Sequence, residues 1–428
     1  MTLPLAALLV ALHSVPPAPW APGGPSRPED LIISVVTFGP GSDLPSWWGH
    51  TALVVEDRAL QHGRLYNYGM FDFSTGFVHK FVQGRLEFWV GEASVRGTYE
   101  FYKELDRDVR VQILDLTPEQ ALLAARALAT NVMPENREYL YHHYNDNCST
   151  RPRDIIDLAV GGALKQATSG KSRMSLREHT RRYSQVFPPM SLVLDYLQND
   201  ELDRPITMQE EAFLPDELER QLDQLSVDGH PVVKQKVMYW TSKSRPPVPE
   251  APPYWNVWLA LISVAAGAFV FFLSRRLDQR GARLALGAFL TFEGLVWGSL
   301  GVFLFVVGIW TNHQVAHRNE NLFLINPVTF ALLFLGPMLM KGSPRALPAL
   351  KWVSAVLAGT ALLGVVVKVL PMFDQQNWNL ICLVLPLSLA TAAAFWKLPA
   401  VAGAPLPPAQ HGKKKGAAPA VPRPSSVE

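Results

Sequence analysis

The sequence predicts an α+β globular domain followed by an all-α membrane domain of five helices. Apolar residues make up 48% of the 428, and they are unevenly spread. Asp30 to Lys243 alternates polar and apolar positions like a water-soluble domain, whereas Tyr254 to Trp396 is largely membrane-like. Within the first part, short strand-like runs separated by turns give way at Thr117 to capped, helix-periodic segments. A formal net charge of +2, with no clustered basic surface, gives no footprint for a nucleic-acid partner.

The chain opens with a short apolar stretch, Leu3 to Leu12, ending in Pro16-Pro17-Ala18-Pro19. It is too short to span a bilayer, so residues 1–20 are expected to be a signal peptide or an N-terminal anchor. No Lys or Arg precedes the apolar run and no clean small-x-small site follows it. Residues 21–243 form the expected extracytoplasmic domain. Leu31–Val36 and Thr51–Val55 read as buried strands. Leu65–Gly69 pairs with the second across a turn containing Gly63, and Phe81 to Tyr102 is expected to add two more strands. Thr117, Pro118 and Gln120 make a capping box for a helix reaching about Asn131. A second helix begins close to Cys148, with Pro152 in its first turn and a buried stripe of Ile155, Ile156, Leu158 and Ala159. Phe213–Leu218 opens a last helix, and 244–253 is a Pro-rich, semi-rigid linker.

The membrane domain, residues 254–398, is expected to cross the bilayer five times, near Tyr254–Leu273, Leu284–Trp310, Leu322–Met340, Trp352–Leu370 and Leu380–Trp396. Arg275, Arg276, Arg280 and Arg283 mark one loop as cytoplasmic, and Lys341, Arg345 and Lys351 mark another. With Lys397 and Lys413-Lys414-Lys415 following the last span, the C-terminus is cytoplasmic and the first domain lies outside the inner membrane. Residues 399–428 read as a disordered tail. Glu293 is costly in lipid and should face the bundle interior.

Cys148 is one of two cysteines, the other being Cys382 inside an apolar run. A lone thiol in an exported domain is either a reactive nucleophile or an inert buried residue. Its surroundings, Asn145-Asp146-Asn147-Cys148-Ser149-Thr150-Arg151, are polar, which argues against a buried filler. At a helix start, free amides and the helix dipole favour thiolate, and Arg151 and Arg153 add to that field. Asn147 offers amide donors. The thiolate needs a proton acceptor, and His50, in Trp47-Trp48-Gly49-His50-Thr51, is preferred over His142 and His143. A strand-borne histidine preceding a helix-borne cysteine is the order of the permuted papain-like thiol enzymes. Asp72 is the expected orienting group for the imidazole, with Asn67 as the other choice. Trp48, Asn67, Asn147 and Arg151 are expected to line the substrate side. No His-Glu-x-x-His or cysteine pair suggests a metal, and no cofactor is called for.

The segments Trp48–Ala52, Tyr66–Phe73, Asn136–Tyr139 and Asn147–Arg151, followed by Phe213-Leu214-Pro215, resemble the extracytoplasmic domain of the Lnb-type lipoprotein N-acyltransferases. His313, Asn319, Asn321, Leu322 and Asn326-Pro327 resemble the outward loop of the membrane part that accompanies it. The resemblance spans roughly Leu31 to Trp396. It implies a permuted papain-like (NlpC/P60-like) fold and transfer of an acyl chain from a lipoprotein's diacylglyceryl group to its N-terminal amine. Carried over, Cys148 is the nucleophile and His50 the base. The expected partners are a bacterial lipoprotein N-terminus or a membrane phospholipid, at the bilayer surface. Two other readings stay open: a cell-wall amidase or peptidase of the same thiol fold, and a non-catalytic membrane sensor.

Overall fold

The computed structural model describes residues 16–72, 80 and 82–397. The signal-like residues 1–15 and the tail from 398 lie outside them, as does Phe73. The chain divides into two compact units. The first runs to Trp255 and takes in Val306–Asn321 and Lys368–Asn377, and the second holds Asn256–Phe305, Leu322–Val367 and the chain from Trp378.

The first unit is built on a seven-stranded antiparallel sheet, ordered β6-β4-β3-β2-β1-β5-β9. Its strands are β1 (Leu31–Phe38), β2 (His50–Asp57), β3 (His62–Met70), β4 (Glu87–Ala93), β5 (Val109–Leu114), β6 (Glu138–Leu140) and β9 (Val233–Trp240). A small hairpin, β7 (Ser226–Val227) with β8 (His230–Pro231), stands apart. β1 is buried at every position but one, which explains its unbroken apolar run: it is a central strand covered on both faces. The turn between β2 and β3 is made by residues 58–61, with Gln61 left-handed at φ 48°; Gly63 lies inside β3, opposite Glu56, rather than in the turn.

Helices cover both faces. They are α1 (Val95–Glu104), α2 (Pro118–Asn131), α3 (Thr150–Ala159), α4 (Ala163–Ala167), α5 (Leu176–Ser184), α6 (Pro188–Leu197), α7 (Met208–Glu211) and α8 (Pro215–Gln224). Leu128 of α2, Ile156 of α3 and Leu222 of α8 pack with Val35, Leu53, Val55, Tyr66 and Tyr68 on one face. On the other, Tyr99 and Tyr102 of α1 pack with Phe38, Ala52, Val54 and Leu65.

Several expectations change here. Only one strand follows Phe81 before Tyr102, because Ser94 caps a helix by accepting the N–H of Gly97, and Tyr99 and Tyr102 then share its buried side. In α3 the buried set is Ile155, Ile156 and Ala159; Leu158 points out, 50% exposed. The capping box at Thr117 forms as expected. The core reaches further towards the N-terminus than residue 21: Trp20 is buried and donates Nε1–H to the Tyr66 hydroxyl at 2.9 Å, while Arg64 donates to the Pro16 carbonyl at 2.8 Å. A segment ending at residue 20 would remove Trp20 from that core.

The loops Val306–Asn321 and Lys368–Asn377 fold as part of this unit. Asn199 donates through Nδ2 to the carbonyls of Gln314 (2.9 Å) and His317 (3.0 Å), and its N–H bonds the Val315 carbonyl. Asn321 donates to the Tyr196 carbonyl at 2.9 Å, and Gln375 to that of Gln198 at 2.9 Å. Beside them Arg177, fully buried, pairs with Asp195 (3.0 Å) and Asp203 (2.6 Å).

Among the described residues four helices, lying mostly in the second unit, are long and apolar enough to cross a membrane: Asn256–Ser274, Arg280–Trp310, Ala346–Val369 and Trp378–Trp396. The expected third span is not one straight helix. Residues 314–323 and Pro327–Met340 meet at a 65° bend, and the Asn326 side chain accepts the Val328 N–H at the break. The α-helical part, Leu332–Met340, has nine residues, about 14 Å at 1.5 Å per residue, well short of a bilayer core. The Arg280–Trp310 helix widens to a π-turn at Gly294–Gly298. There Gly294 and Gly298 let the backbone of Leu333 and Phe330 approach so closely that an added Cβ would sit 2.1 and 2.5 Å from them. Glu293, as expected, faces inward, lining a cavity of about 260 Å³ with Phe289, Trp297, Ser354 and Leu387.

Candidate active site

The alternation of side chains along the strands selects which groups meet. β2 and β3 pair with Ala52 opposite Asn67, so His50, two residues before Ala52, lies on the same face as Asn67 and diagonal to it. The imidazole Nε2 meets Asn67 Oδ1 at 2.5 Å. With Nε2–H donated to the amide oxygen, Nδ1 is the basic nitrogen. The ring stacks at 6.0 Å from Phe38 and 6.3 Å from Tyr102, which fixes its plane. Burial pushes the His50 imidazole down to about 4, against the Asn67 hydrogen bond, and Arg107 nearby adds to the lowering.

Cys148 sits two residues before α3, in a turn delivered to the same end of β2. The Thr51 backbone N–H and its own N–H point at Sγ and favour the thiolate, as does Arg107, but burial outweighs them and pushes the thiol up to about 11. Burial thus disfavours both the thiolate and the imidazolium. Gly69 forms the floor. It sits at φ +89° where the β3–β4 register slips, and a Cβ there would lie 3.5 Å from Cys148 Cβ. Such a bulge beside a reactive group bends the strand to make room. Tyr139 and Tyr141 also lie within electrostatic reach of the thiol, and burial raises both well above the ordinary phenol.

The other expected residues have different work. Asn67, not Asp72, holds the imidazole; Asp72 is exposed two residues beyond β3. Asn147 is buried and its side chain is used within the fold. Oδ1 accepts the N–H groups of Ser149 (2.8 Å) and Thr150 (2.9 Å), capping α3, and Nδ2 donates to the carbonyls of His143 and Phe213. Arg151 is held bidentate by Asp146 at 2.5 and 2.8 Å and lies over the Tyr139 ring, so its charge is spent locally rather than on a substrate. Trp48 packs edge-on against His143 at 4.8 Å, and that contact, with burial, accounts for His143 better than a proton-transfer role. His142 accepts the N–H groups of Tyr144 and Asn145 through Nδ1. A polar cleft of about 360 Å³ borders this loop, lined by His142, Tyr144, Asn145, Asn199, Arg204 and His317.

Sequence reasoning missed Arg107 and Tyr102, which belong to no recognisable spacing, and named Gly69 only within the Tyr66–Phe73 motif, without a role. One cluster has the composition of a cation site: His179, Glu211 and Glu217 hold their ligand atoms within 4.8 Å of one another. Arg182 occupies it, donating to Glu217 at 3.2 Å and His179 Nδ1 at 3.0 Å, while Arg173 and Arg220 pair with the same carboxylates. Three guanidinium groups neutralise the acids that a metal would need, and the cluster reads as a buried ion-pair network.

No curated protein and no solved structure gives a significant match to the chain. Residues 25–182 match the family model described as the Lnb N-terminal periplasmic domain, a stretch that includes His50, Asn67 and Cys148. Together with the four membrane-length helices among the described residues, this match supports a membrane protein whose N-terminal domain is similar to the periplasmic domain of the Lnb type.

Proposed function

We propose that the protein is a cysteine-dependent acyltransferase acting on lipoprotein or lipid esters at the outer face of the cytoplasmic membrane. The observation that carries this is the grouping of Cys148, His50 and Asn67, with the imidazole Nε2 held at 2.5 Å by Asn67 and the Thr51 N–H directed at the sulfur. A thiol, an imidazole and an orienting amide are the components of papain-like catalysis, and their order here supports the permuted variant of that fold.

His50 Nδ1 takes the proton from Sγ as the thiolate attacks the ester carbonyl. The tetrahedral oxyanion collapses, the C–O bond breaks, and the imidazolium returns the proton to the departing alkoxide, leaving a thioester on Cys148 and a free alcohol. An amine then attacks the thioester, His50 accepts its proton, and the thiolate leaves and is reprotonated. Burial that disfavours the free thiolate favours proton transfer to His50 together with attack, which limits idle reaction with water-borne electrophiles. Membrane attachment keeps the thiol at high local concentration relative to lipid esters. The folding of both inter-span loops with the N-terminal domain supports placing them together outside, with the basic loops and the C-terminus in the cytoplasm.

Intact-mass spectrometry of the detergent-purified protein, incubated with membrane lipids and a diacylated lipopeptide, tests the reading. The expected result is a hydroxylamine-labile acyl adduct on Cys148 and an amide-linked chain on the lipopeptide, both lost in Cys148→Ala and His50→Ala. An adduct that yields only free fatty acid makes the protein a lipase. No adduct in any preparation removes the acyl-enzyme mechanism.

A further inference from the structure

The polar cleft of about 360 Å³ is not used by the thiol chemistry, and every residue lining it belongs to the first unit. Its place beside the thiol follows from chain geometry. His142 and Asp146 exchange backbone hydrogen bonds at 2.9 and 3.0 Å, closing a loop whose members His142 and Asn145 line the cleft. Asn145 precedes Cys148 by three residues, so their Cα atoms are at most about 11 Å apart. The facing wall, with His317 and Arg318, comes from the inter-span loop that follows the Arg280–Trp310 helix and folds with this unit.

The walls hold donors and acceptors that the fold itself leaves over. His142 accepts two backbone N–H groups through Nδ1, which leaves Nε2–H as a donor. His317 is fixed the other way round: Nε2–H donates to the Thr311 carbonyl at 2.8 Å, which leaves Nδ1 as an acceptor. Asn199, 3% exposed, spends Nδ2 on the carbonyls of Gln314 and His317, while its buried Oδ1 has no partner. An unmet buried acceptor is costly, and a donor brought by a ligand relieves that cost. Asp200, Glu201 and Arg318 also line the cleft, and among the described residues none of them makes an ion pair. Donors and acceptors of both charge signs thus stand together, as the N–H and C=O groups of an extended polypeptide require. A phospholipid headgroup needs unopposed cations, and a sugar ring needs an open aromatic face. The one tyrosine of the lining, Tyr144, is buried, with its hydroxyl engaged by Thr180 and Gln198.

We propose that this cleft is a polypeptide subsite, holding in extended form the chain attached to the residue that is worked on at Cys148, and that the inter-span loop supplies one of its walls. This rests on the acyl-transfer reading of the site. An extended chain advances about 3.3–3.6 Å per residue, so the cleft is reached within about three residues of the thiol. The sheet domain without His317 and Arg318 lacks that wall.

The test is calorimetric titration of the full-length Cys148→Ala protein in detergent with two monodisperse probes: the peptide Cys-Ser-Asn-Ala-Lys carrying a dihexanoylglyceryl group on its cysteine, and the equally modified cysteine methyl ester. The peptide probe should bind roughly tenfold or more tightly, as one added hydrogen bond to a charged group gives. Arg318→Gly and Glu201→Ala should each lower that ratio threefold or more. Both side chains are exposed, and glycine suits the left-handed backbone of Arg318 at φ 50°, so the fold is kept. Equal binding of the two probes overturns the proposal, as does a ratio that both variants leave at its parental value. Displacement of the peptide probe by muramyl dipeptide, but not by the unmodified peptide, also overturns it, because the cleft then serves a cell-wall fragment. Adduct formation on wild-type Cys148 from p-nitrophenyl hexanoate is measured in parallel. An adduct without peptide preference removes the subsite and leaves acyl transfer standing. Peptide preference without any adduct removes acyl transfer and leaves a peptide-binding cleft.

Discussion

Replacing Asn67 with Ala removes the hydrogen bond that fixes the tautomer of His50 and leaves its Nε2–H unmet beside the stacked rings of Phe38 and Tyr102. A buried donor left unmet costs about 1–3 kcal/mol. If the whole cost falls on the reactive orientation of the ring, then at about 1.4 kcal/mol per decade the acylation rate drops roughly 5-fold to 150-fold. Single-turnover formation of the Cys148 adduct, followed by mass spectrometry on purified full-length protein, measures it. Asn67→Asp adds a second readout. A carboxylate in place of the amide stabilises imidazolium, so the acidic limb of the pH–rate profile, set by an imidazole lowered to about 4, should move to higher pH. Asp72→Ala should leave both rate and profile unchanged. If Asn67→Ala acylates within twofold of wild type, or if Asp72→Ala carries the loss instead, the assignment of the orienting group is wrong.

Other expectations follow from the same structure. His50 and His143 are both lowered from 6.5 to about 4 by burial, so the unfolded chain binds these protons more readily than the folded one. The stability they confer is complete above about pH 6.5 and is lost as pH falls towards 4; each is worth at most about 3 kcal/mol, and with both rings half-buried the sum should be nearer one such contribution than two, as read by urea unfolding across that window. Gly69→Ala forces a side chain into left-handed backbone at φ +89°, which should cost about 1–2 kcal/mol, lower the melting temperature and slow acylation together. Arg177→Met leaves Asp203 buried without its guanidinium, while Asp195 keeps Arg181, and should destabilise the periplasmic unit by about 3–5 kcal/mol, seen as a lower Tm in differential scanning calorimetry. Gly298→Leu places a side chain where Phe330 Cα lies 2.5 Å from the Cβ position, and it should abolish a monodisperse membrane unit in size-exclusion chromatography.

The parts legible in the sequence were those set by local pattern. The unbroken apolar run of Leu31–Val36, the capping box at Thr117 and the membrane-length segments each follow from neighbours in the chain, and the likeness of residues 25–182 to the Lnb N-terminal periplasmic domain followed from motifs that sit at the site. What escaped is set by partners distant in sequence. Asp72 reads as the orienting group for His50, with Asn67 second, until strand register puts Asn67 diagonal to the imidazole. Asn147 has the composition of a binding residue, but the carbonyls of His143 and Phe213 claim its amide. Arg107 has no signature at all, since its guanidinium is held by the carbonyl of Gly39, 68 residues earlier. The break at Asn326-Pro327 was visible as a dipeptide, yet its hydrophobic surroundings read as a continuous span.

The loops that close the periplasmic unit impose an order on its biogenesis. Gln375 satisfies the Gln198 carbonyl from 177 residues further along the chain. At roughly 5–20 residues per second, the ribosome needs on the order of ten to thirty-five seconds to supply it. Through that interval the Gln198 carbonyl has the Arg177 guanidinium at 3.3 Å but not Gln375, and the side chain of Asn199 first waits for the carbonyls of Gln314 and His317. The unit's final closure therefore waits on chain that follows three of the membrane-length helices.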